Sequence, residues 1–248
     1  MDARTVALGA FAGLVASAFA LVTADRWHRR RMSHHGAWTI AMVLFAVGSF
    51  ALWWAASTGW SGGVFRVFFT AGAILNVSWL ALGSIALLFG DRIAIPLSRI
   101  VSLLSAFAIG VMVVAPSERE FVASELPQAR DHFGALPRVL AAVGSGVPAL
   151  VIFAGAVWSL VRLLRRQPTG ANESHHRPIV STKRLVLSNA LVALGTLVLS
   201  ASGSLAGRLG EEQAFAVTLS VGVVILFVGF MVPSVHRQLK GSELDFLP

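Results

Sequence analysis

Residues 64–115 read VFRVFFTAGAILNVSWLALGSIALLFGDRIAIPLSRIVSLLSAFAIGVMVVA, about fifty positions of nearly continuous apolar character. A bilayer core takes roughly 20 apolar residues per helical crossing, so this stretch holds two crossings and a very short turn. Its punctuation is Gly90, Asp91, Arg92 and Pro96. Proline keeps the residue before it out of the helical region and suits a first helical turn. The spacing therefore predicts helices over 64–89 and 94–115. Working outward, comparable runs fall at 5–23, 37–56, 137–161, 185–206 and 213–233, which makes seven helices in one transmembrane domain spanning 1–248.

Composition points the same way. Over 248 residues the chain is 56% hydrophobic and 13% charged, with a mean hydropathy of +0.75. That leaves too few polar side chains to coat a water-soluble globule of this size. A cytosolic enzyme, a nucleic-acid-binding domain and a secreted disulfide scaffold are excluded. In a soluble chain the net charge of +8 would suggest nucleic acid as a partner. Here it fits the excess of basic residues on the cytoplasmic side of membrane proteins. Fourteen Lys and Arg fall on one side of the seven-helix plan, from Arg26 and Arg29–Arg31 through Arg92 and the 162–184 segment to Lys240, against six on the other. The reading is an all-α polytopic membrane bundle with its N-terminus outside and its C-terminus cytoplasmic. The basic cluster follows the first apolar run, the reverse of a secretory signal peptide, so that run is expected to stay as the first helix.

Loops and aromatic rings fit this frame. Trp27 and Trp38 flank the first cytoplasmic loop, whereas Trp53, Trp54 and Trp60 mark the outer end of the second helix. The outer connection from Pro116 to Leu136 is long enough to form a short interfacial helix. The cytoplasmic connection from Gln167 to Thr182 is rich in turn-forming residues. After Ser234 a short tail is expected, with no output domain. The echo between Ser33-His34-His35 and Ser174-His175-His176 has no matching helix sequence around it.

Helix three is the most informative. At helical spacing Phe65, Phe69, Gly72, Asn76, Trp79 and Gly83 share one face, with Asn76 near mid-membrane. An amide in hydrocarbon must meet protein, water or ligand. Two readings stand: a binding cavity with Asn76 at its floor and Trp79 as a wall, or an interhelical hydrogen bond between helices brought close by Gly72 and Gly83. Helix six repeats the pattern, with Asn189, Ala193, Thr196, Ser200 and Gly203 on one face and Gly195 beside it. Ser98, Ser102 and Ser105 add a stripe on helix four, though such hydroxyls also return hydrogen bonds to their own backbone. The three faces together suggest one semi-polar interior. Gly9 and Gly13 form a GxxxG contact motif in helix one, and Pro148 near Gly144 and Gly146 predicts a kink in helix five.

Several chemistries are missing. Cysteine is absent, so there is no thiolate nucleophile, disulfide or Cys-ligated cluster. None of the 12 carboxylates lies at mid-membrane, which argues against a proton relay or an intramembrane aspartyl protease. No His falls inside a predicted helix, which argues against haem ligation and a membrane hydrolase. The seventh helix has no Lys for a retinal Schiff base. His28, His34, His35, His175 and His176 read as solvated basic loops beside anionic lipid headgroups rather than as a metal site. No catalytic residue, cofactor or metal is assigned.

The blocks Phe65-Arg66-Val67-Phe68-Phe69, Gly72, and Leu75 through Gly83, with Thr23-Ala24-Asp25-Arg26-Trp27 after helix one, carry a resemblance. The chain resembles a family of uncharacterised seven-helix integral membrane proteins of high-GC actinobacteria, most specifically over helices one to three. Eighteen Arg against two Lys fits a GC-rich genome. The family has no assigned activity, so the resemblance implies a bacterial plasma-membrane location and brings no site residues with it. The expected function is a non-enzymatic bundle that binds or transports a small neutral or amphiphilic molecule near Asn76, Trp79, Asn189 and Thr196. The alternative is a structural or regulatory subunit, in a homo-oligomer or a membrane complex.

Overall fold

The long apolar stretch breaks where expected, at Gly90, whose φ of +77° lies in the left-handed region that glycine adopts without steric cost. The helix after it starts at Asp91, three residues before the expected boundary, so Pro96 sits inside its early turns. A computed structural model describes residues 3–165, 187, 190–199 and 212–231, and every regular element among them is helical. In chain order these are α1 (Ala3–Arg30), α2 (Ser33–Thr58), α3 (Gly62–Phe89), α4 (Asp91–Val114), the short α5 (Ala129–His132), α6 (135–165), α7 (Ala190–Leu199) and α8 (Glu212–Met231).

Six of these helices, α1, α2, α3, α4, α6 and α8, are long and apolar enough to cross a membrane, the build of a multi-pass membrane protein. The expected helix over 185–206 is described only through α7 and Leu187. Helices outrun the apolar stretches that predict them: α1 continues to Arg30, and α2 begins at Ser33. That second difference overturns the loop reading of His34 and His35. Both lie in the first turn of α2, 8% and 7% exposed, with ring centroids 4.2 Å apart and edges toward Trp38. His175 and His176 lie outside the described residues.

Small residues set the close contacts. A Cβ built on Gly9 would lie 3.1 Å from the Trp53 backbone N, and one on Gly13 would lie 2.9 Å from the Phe50 ring, so α1 rests on α2 through these two positions. Gly83 of α3 lies under the Trp38 ring, and Gly195 of α7 faces Leu226 of α8. Phe19 of α1 meets Phe227 and Phe230 of α8 at 5.2 and 4.9 Å. α4 and α6 bury little, and Leu103, Val113 and Leu150 remain exposed on their outer faces. Leu14 and Leu21 of α1 are exposed as well, as suits a lipid-facing surface.

Links between the helices alternate between two ends of the bundle. At one end Ser33 Oγ donates to Asp91 Oδ1, joining the α1–α2 link to the α3–α4 turn. At the other, Trp60 N donates to Ala123 O at 3.0 Å, joining the α2–α3 turn to the α4–α5 connection. Trp60, expected at headgroup level, is 3% exposed and packs its ring against Phe65 and Phe68.

Candidate functional site

α3 and α6 each contain one wide π-helical turn, Phe69–Leu75 and Ala142–Gly146. Such turns interrupt the regular ladder and recur at functional sites. Here they touch each other: a Cβ on Gly144 would lie 2.5 Å from Ile74 O, so only glycine permits this approach. Pro148 has no N–H to offer the carbonyl of Gly144 four residues before it. Ser78 Oγ of α3 donates to that carbonyl at 2.8 Å. The kink expected at Pro148 thus takes the form of a wide turn docked onto a neighbouring wide turn.

Beside this junction lies a cavity of about 570 Å³. α3 lines it from Phe65 to Leu80 through Phe69, Gly72 and Asn76, facing Phe45, Gly48 and Ser49 of α2. α6 contributes Ser145, Gly146 and Ala149, α7 contributes Thr196 and Leu199, and α8 contributes Phe215 and Leu219. The 116–136 connection closes one end with residues 126–130. Among the described lining residues Arg130 is the single charged one. It is largely exposed, 3.7 Å from Asp131. An aromatic cluster supports this end: Phe65 stacks on Phe133 at 5.4 Å and contacts Phe121 and His132, while Phe68 meets Phe215 at 5.8 Å.

Arg66 fastens that cluster to α4. Its guanidinium donates to Met112 O at 2.7 Å and to Ser117 Oγ at 3.1 Å, and lies 5.5 Å over the Phe133 ring. Met112 O sits in the last turn of α4, where helix carbonyls lose their partners. The residue four positions on is Pro116, which again has no N–H.

The polar groups of the cavity wall divide into two kinds. Thr196, 3% exposed, donates to Val192 O at 2.8 Å, and Ser145 donates to Ala141 O at 2.7 Å, each four residues back on its own helix. Asn76 and Ser49 differ. They are 5% and 2% exposed, and neither Asn76 Oδ1 nor Ser49 Oγ has a hydrogen-bond partner. Gln128 Oε1, at the end formed by residues 126–130, is buried and unpartnered too. Buried polar atoms in native proteins are nearly always satisfied, so a cluster of exceptions around one cavity calls for an explanation.

Of the residues singled out from sequence, Asn76 and Thr196 come together on this cavity. Asn189 lies outside the described residues. Trp79 is not part of the wall. Its Nε1 donates to Ser105 Oγ of α4 at 3.2 Å. The wide turn in α3 winds fewer degrees per residue than an α-helix, so the cavity face continues through Val77 and Leu80 and carries Trp79 round to α4. Gly72 borders the cavity on one side, with nothing within 4 Å of a Cβ built there, and its backbone meets α2, where a Cβ built on Gly48 would lie 3.5 Å from Gly72 Cα. Gly9, Gly13, Gly83 and Gly195 sit at helix contacts. The serine stripe of α4 stays out of this interior: Ser98 bonds to Ile95 O, Ser102 is exposed, and Ser105 meets Trp79.

Nothing in the sequence singles out Ser49 or Gln128. A serine inside a helix ordinarily returns its hydrogen bond to the preceding turn, so only the structure distinguishes Ser49 from its neighbours. For Gln128 the available signal is the length of the 116–136 connection. No protein-family model matches the chain, and no curated protein matches it.

Proposed function

We propose that this protein binds, and in a transport cycle moves, a small neutral or amphiphilic molecule in the cavity between α2, α3, α6, α7 and α8. The observation that carries this reading is Asn76 Oδ1, buried in the wall of a cavity of about 570 Å³ with no partner. Ligand sites are typically apolar concavities of roughly 300–1,000 Å³ with a few placed polar groups, and this one fits. A neutral ligand follows from the lining. Its one charged side chain among the described residues, Arg130, lies at the outer end, so a charge placed beside Asn76 would be uncompensated. Catalysis has no support in the wall, which offers no carboxylate, imidazole or thiol among its described residues.

The proposal extends to the setting: seven crossings, N-terminus outside, in the plasma membrane of a high-GC actinobacterium, with the basic end against anionic lipid headgroups. On this reading residues 126–130 face the outside and are the side from which the cavity is reached. The cavity favours this reading over a scaffolding subunit, in which Asn76 would bond to a packed helix.

Native mass spectrometry of the full chain released from a mild detergent tests it. A stoichiometric small-molecule adduct is expected on the wild type and absent from Asn76→Leu, with the thermal midpoint of the variant within a few degrees of wild type. Loss of folding in Asn76→Leu, and no adduct on the wild type, would favour the packing role.

A further inference from the structure

α3 also lines a second recess, with residues that take no part in the cavity wall. Arg66, Thr70, Ala71 and Leu75 form one side of a groove of about 480 Å³ between α2, α3 and α4, with Ile109 and Met112 of α4 opposite. It lies at the end of the bundle marked by the Trp60–Ala123 link, near the start of α3 and the end of α4. Arg66 and Leu75 are nine positions apart, on the order of 13 Å of helical rise, close to half of the roughly 30 Å hydrocarbon core of a bilayer. The groove therefore has the depth of one leaflet. Its lining is apolar except for Arg66 and Thr70, which stand four positions apart and so share a face of the helix. Arg66 is partly exposed and gives two of the five N–H donors of a guanidinium to Met112 O and Ser117 Oγ, leaving three with no described partner. No described carboxylate pairs with it; the ion pairs between described residues are Arg29 with Asp25 and Arg130 with Asp131. Thr70 differs from the other threonines of the helices. Thr23, Thr39, Thr58, Thr196 and Thr218 each donate to the carbonyl four residues back, whereas the Thr70 hydroxyl, inside the π-helical turn, has no partner among the described residues. Thr70 is partly exposed, and unlike Ser49 Oγ its oxygen is not a buried one.

We propose that this groove holds one anionic phospholipid of the adjoining leaflet. The phosphate sits on the Arg66 guanidinium, an ester carbonyl accepts from the Thr70 hydroxyl, and an acyl chain runs along Ala71, Leu75 and Ile109. Charge and order along the groove select this occupant. Arginine and phosphate form charge-assisted, forked hydrogen bonds, and Arg66 is held in place for them by a carbonyl, a hydroxyl and the Phe133 ring. From the mouth inward the lining offers a cation, a hydroxyl donor about 6 Å further along the helix, and then apolar surface. A phospholipid presents its complement in the same order. A zwitterionic lipid brings a cation as well, and the described lining has no carboxylate to receive it. A free fatty acid supplies the anion and the chain but no second acceptor for Thr70. The site is separate from the cavity, and its occupancy does not depend on what the cavity binds.

The test titrates the full chain in a mild detergent with dioleoyl phosphatidylglycerol or dioleoyl phosphatidylcholine and reads bound lipid by native mass spectrometry. The wild type is expected to hold one phosphatidylglycerol about tenfold more tightly than phosphatidylcholine, the scale of one hydrogen bond to a charged group. Arg66→Gln, which keeps an amide to hold Met112 O, should lose that preference, and Arg66→Lys should keep it. Thr70→Val, a change of like shape at a hydroxyl with no described partner, should weaken both lipids by up to about tenfold with an unchanged thermal midpoint. Arg119→Gln, exposed at the same end of the bundle, should bind as the wild type does. Glycerol phosphate, which has the headgroup chemistry without the chains, should not compete. Equal binding of the two lipids by the wild type, a preference that survives in Arg66→Gln, full affinity in Thr70→Val, or displacement by glycerol phosphate each overturns the assignment. Should Arg66→Gln fail to fold, the wild-type comparison and Thr70→Val decide the matter.

Discussion

Gly72 and Gly83 stand eleven positions apart on the same helix and have opposite surroundings. Around Gly72 a methyl group meets nothing within 4 Å, whereas at Gly83 it overlaps the Trp38 ring, itself held by Phe230 at 4.8 Å. Alanine at Gly72 is therefore expected to change stability by less than about 0.5 kcal/mol while intruding on the cavity and lowering ligand occupancy. Alanine at Gly83 is expected to cost about 1–3 kcal/mol through overpacking. Thermal unfolding of the two variants, read beside adduct abundance in native mass spectrometry, checks the contrast; equal stability losses would contradict it. At this scale the sequence is partly legible. An amide at mid-helix in an apolar run must have a reason, so Asn76 stands out from the residue pattern alone. Ser49 does not, because what distinguishes it is a hydrogen bond it fails to make.

Among the elements, α3 supplies a side-chain donor to each of two carbonyls whose usual donor position holds proline. Ser78 serves Gly144 O opposite Pro148, and Arg66 serves Met112 O before Pro116. Removing the Ser78 hydroxyl in Ser78→Ala is expected to lower stability by about 1 kcal/mol, the upper part of the range for interhelical hydrogen bonds in membranes. Introducing Pro148→Ala as well should shrink that cost, because a backbone N–H returns to the helix. A double-mutant cycle on thermal midpoints measures the coupling, and additive costs would show that the two residues act independently. Helix spans are readable from apolar run length because a bilayer imposes one. The faces are readable only where winding is regular. Asn76 lies at the end of the π-helical turn and keeps its place on the cavity, whereas Trp79 lies beyond it and does not. No spacing rule anticipates that turn, which lies against Gly144, a residue far from it in the chain. The same limit applies to helix ends: α2 takes in His34 and His35 because a helix continues past the apolar boundary whenever its first turn finds something to pack on.

For the whole molecule, the alternation of its ends makes orientation a simple measurement. The Ser33–Asp91 link and the Trp60–Ala123 link sit at opposite ends of the bundle. The chain contains no cysteine, so single cysteines are unambiguous reporters. With the N-terminus outside, Glu120→Cys in intact cells is expected to react with a membrane-impermeant maleimide, and Arg31→Cys only after permeabilisation. The reverse pattern would invert the proposed orientation and place the 126–130 end of the cavity in the cytoplasm. Both positions are exposed, so protection by the fold does not confuse the result.

The proline at 148 also bears on how the bundle is put together. A helix entering hydrocarbon alone must satisfy its backbone from within, and α6 arrives one donor short. The missing donor is held by Ser78 on α3, a helix that precedes α6 in the chain. The shortfall therefore acts as a docking instruction: among the surfaces α6 could settle against, α3 is the one that completes its hydrogen bonding. The glycine opening beside that bond lets the two wide turns close on each other, and the cavity forms at the seam where a late helix meets an early one.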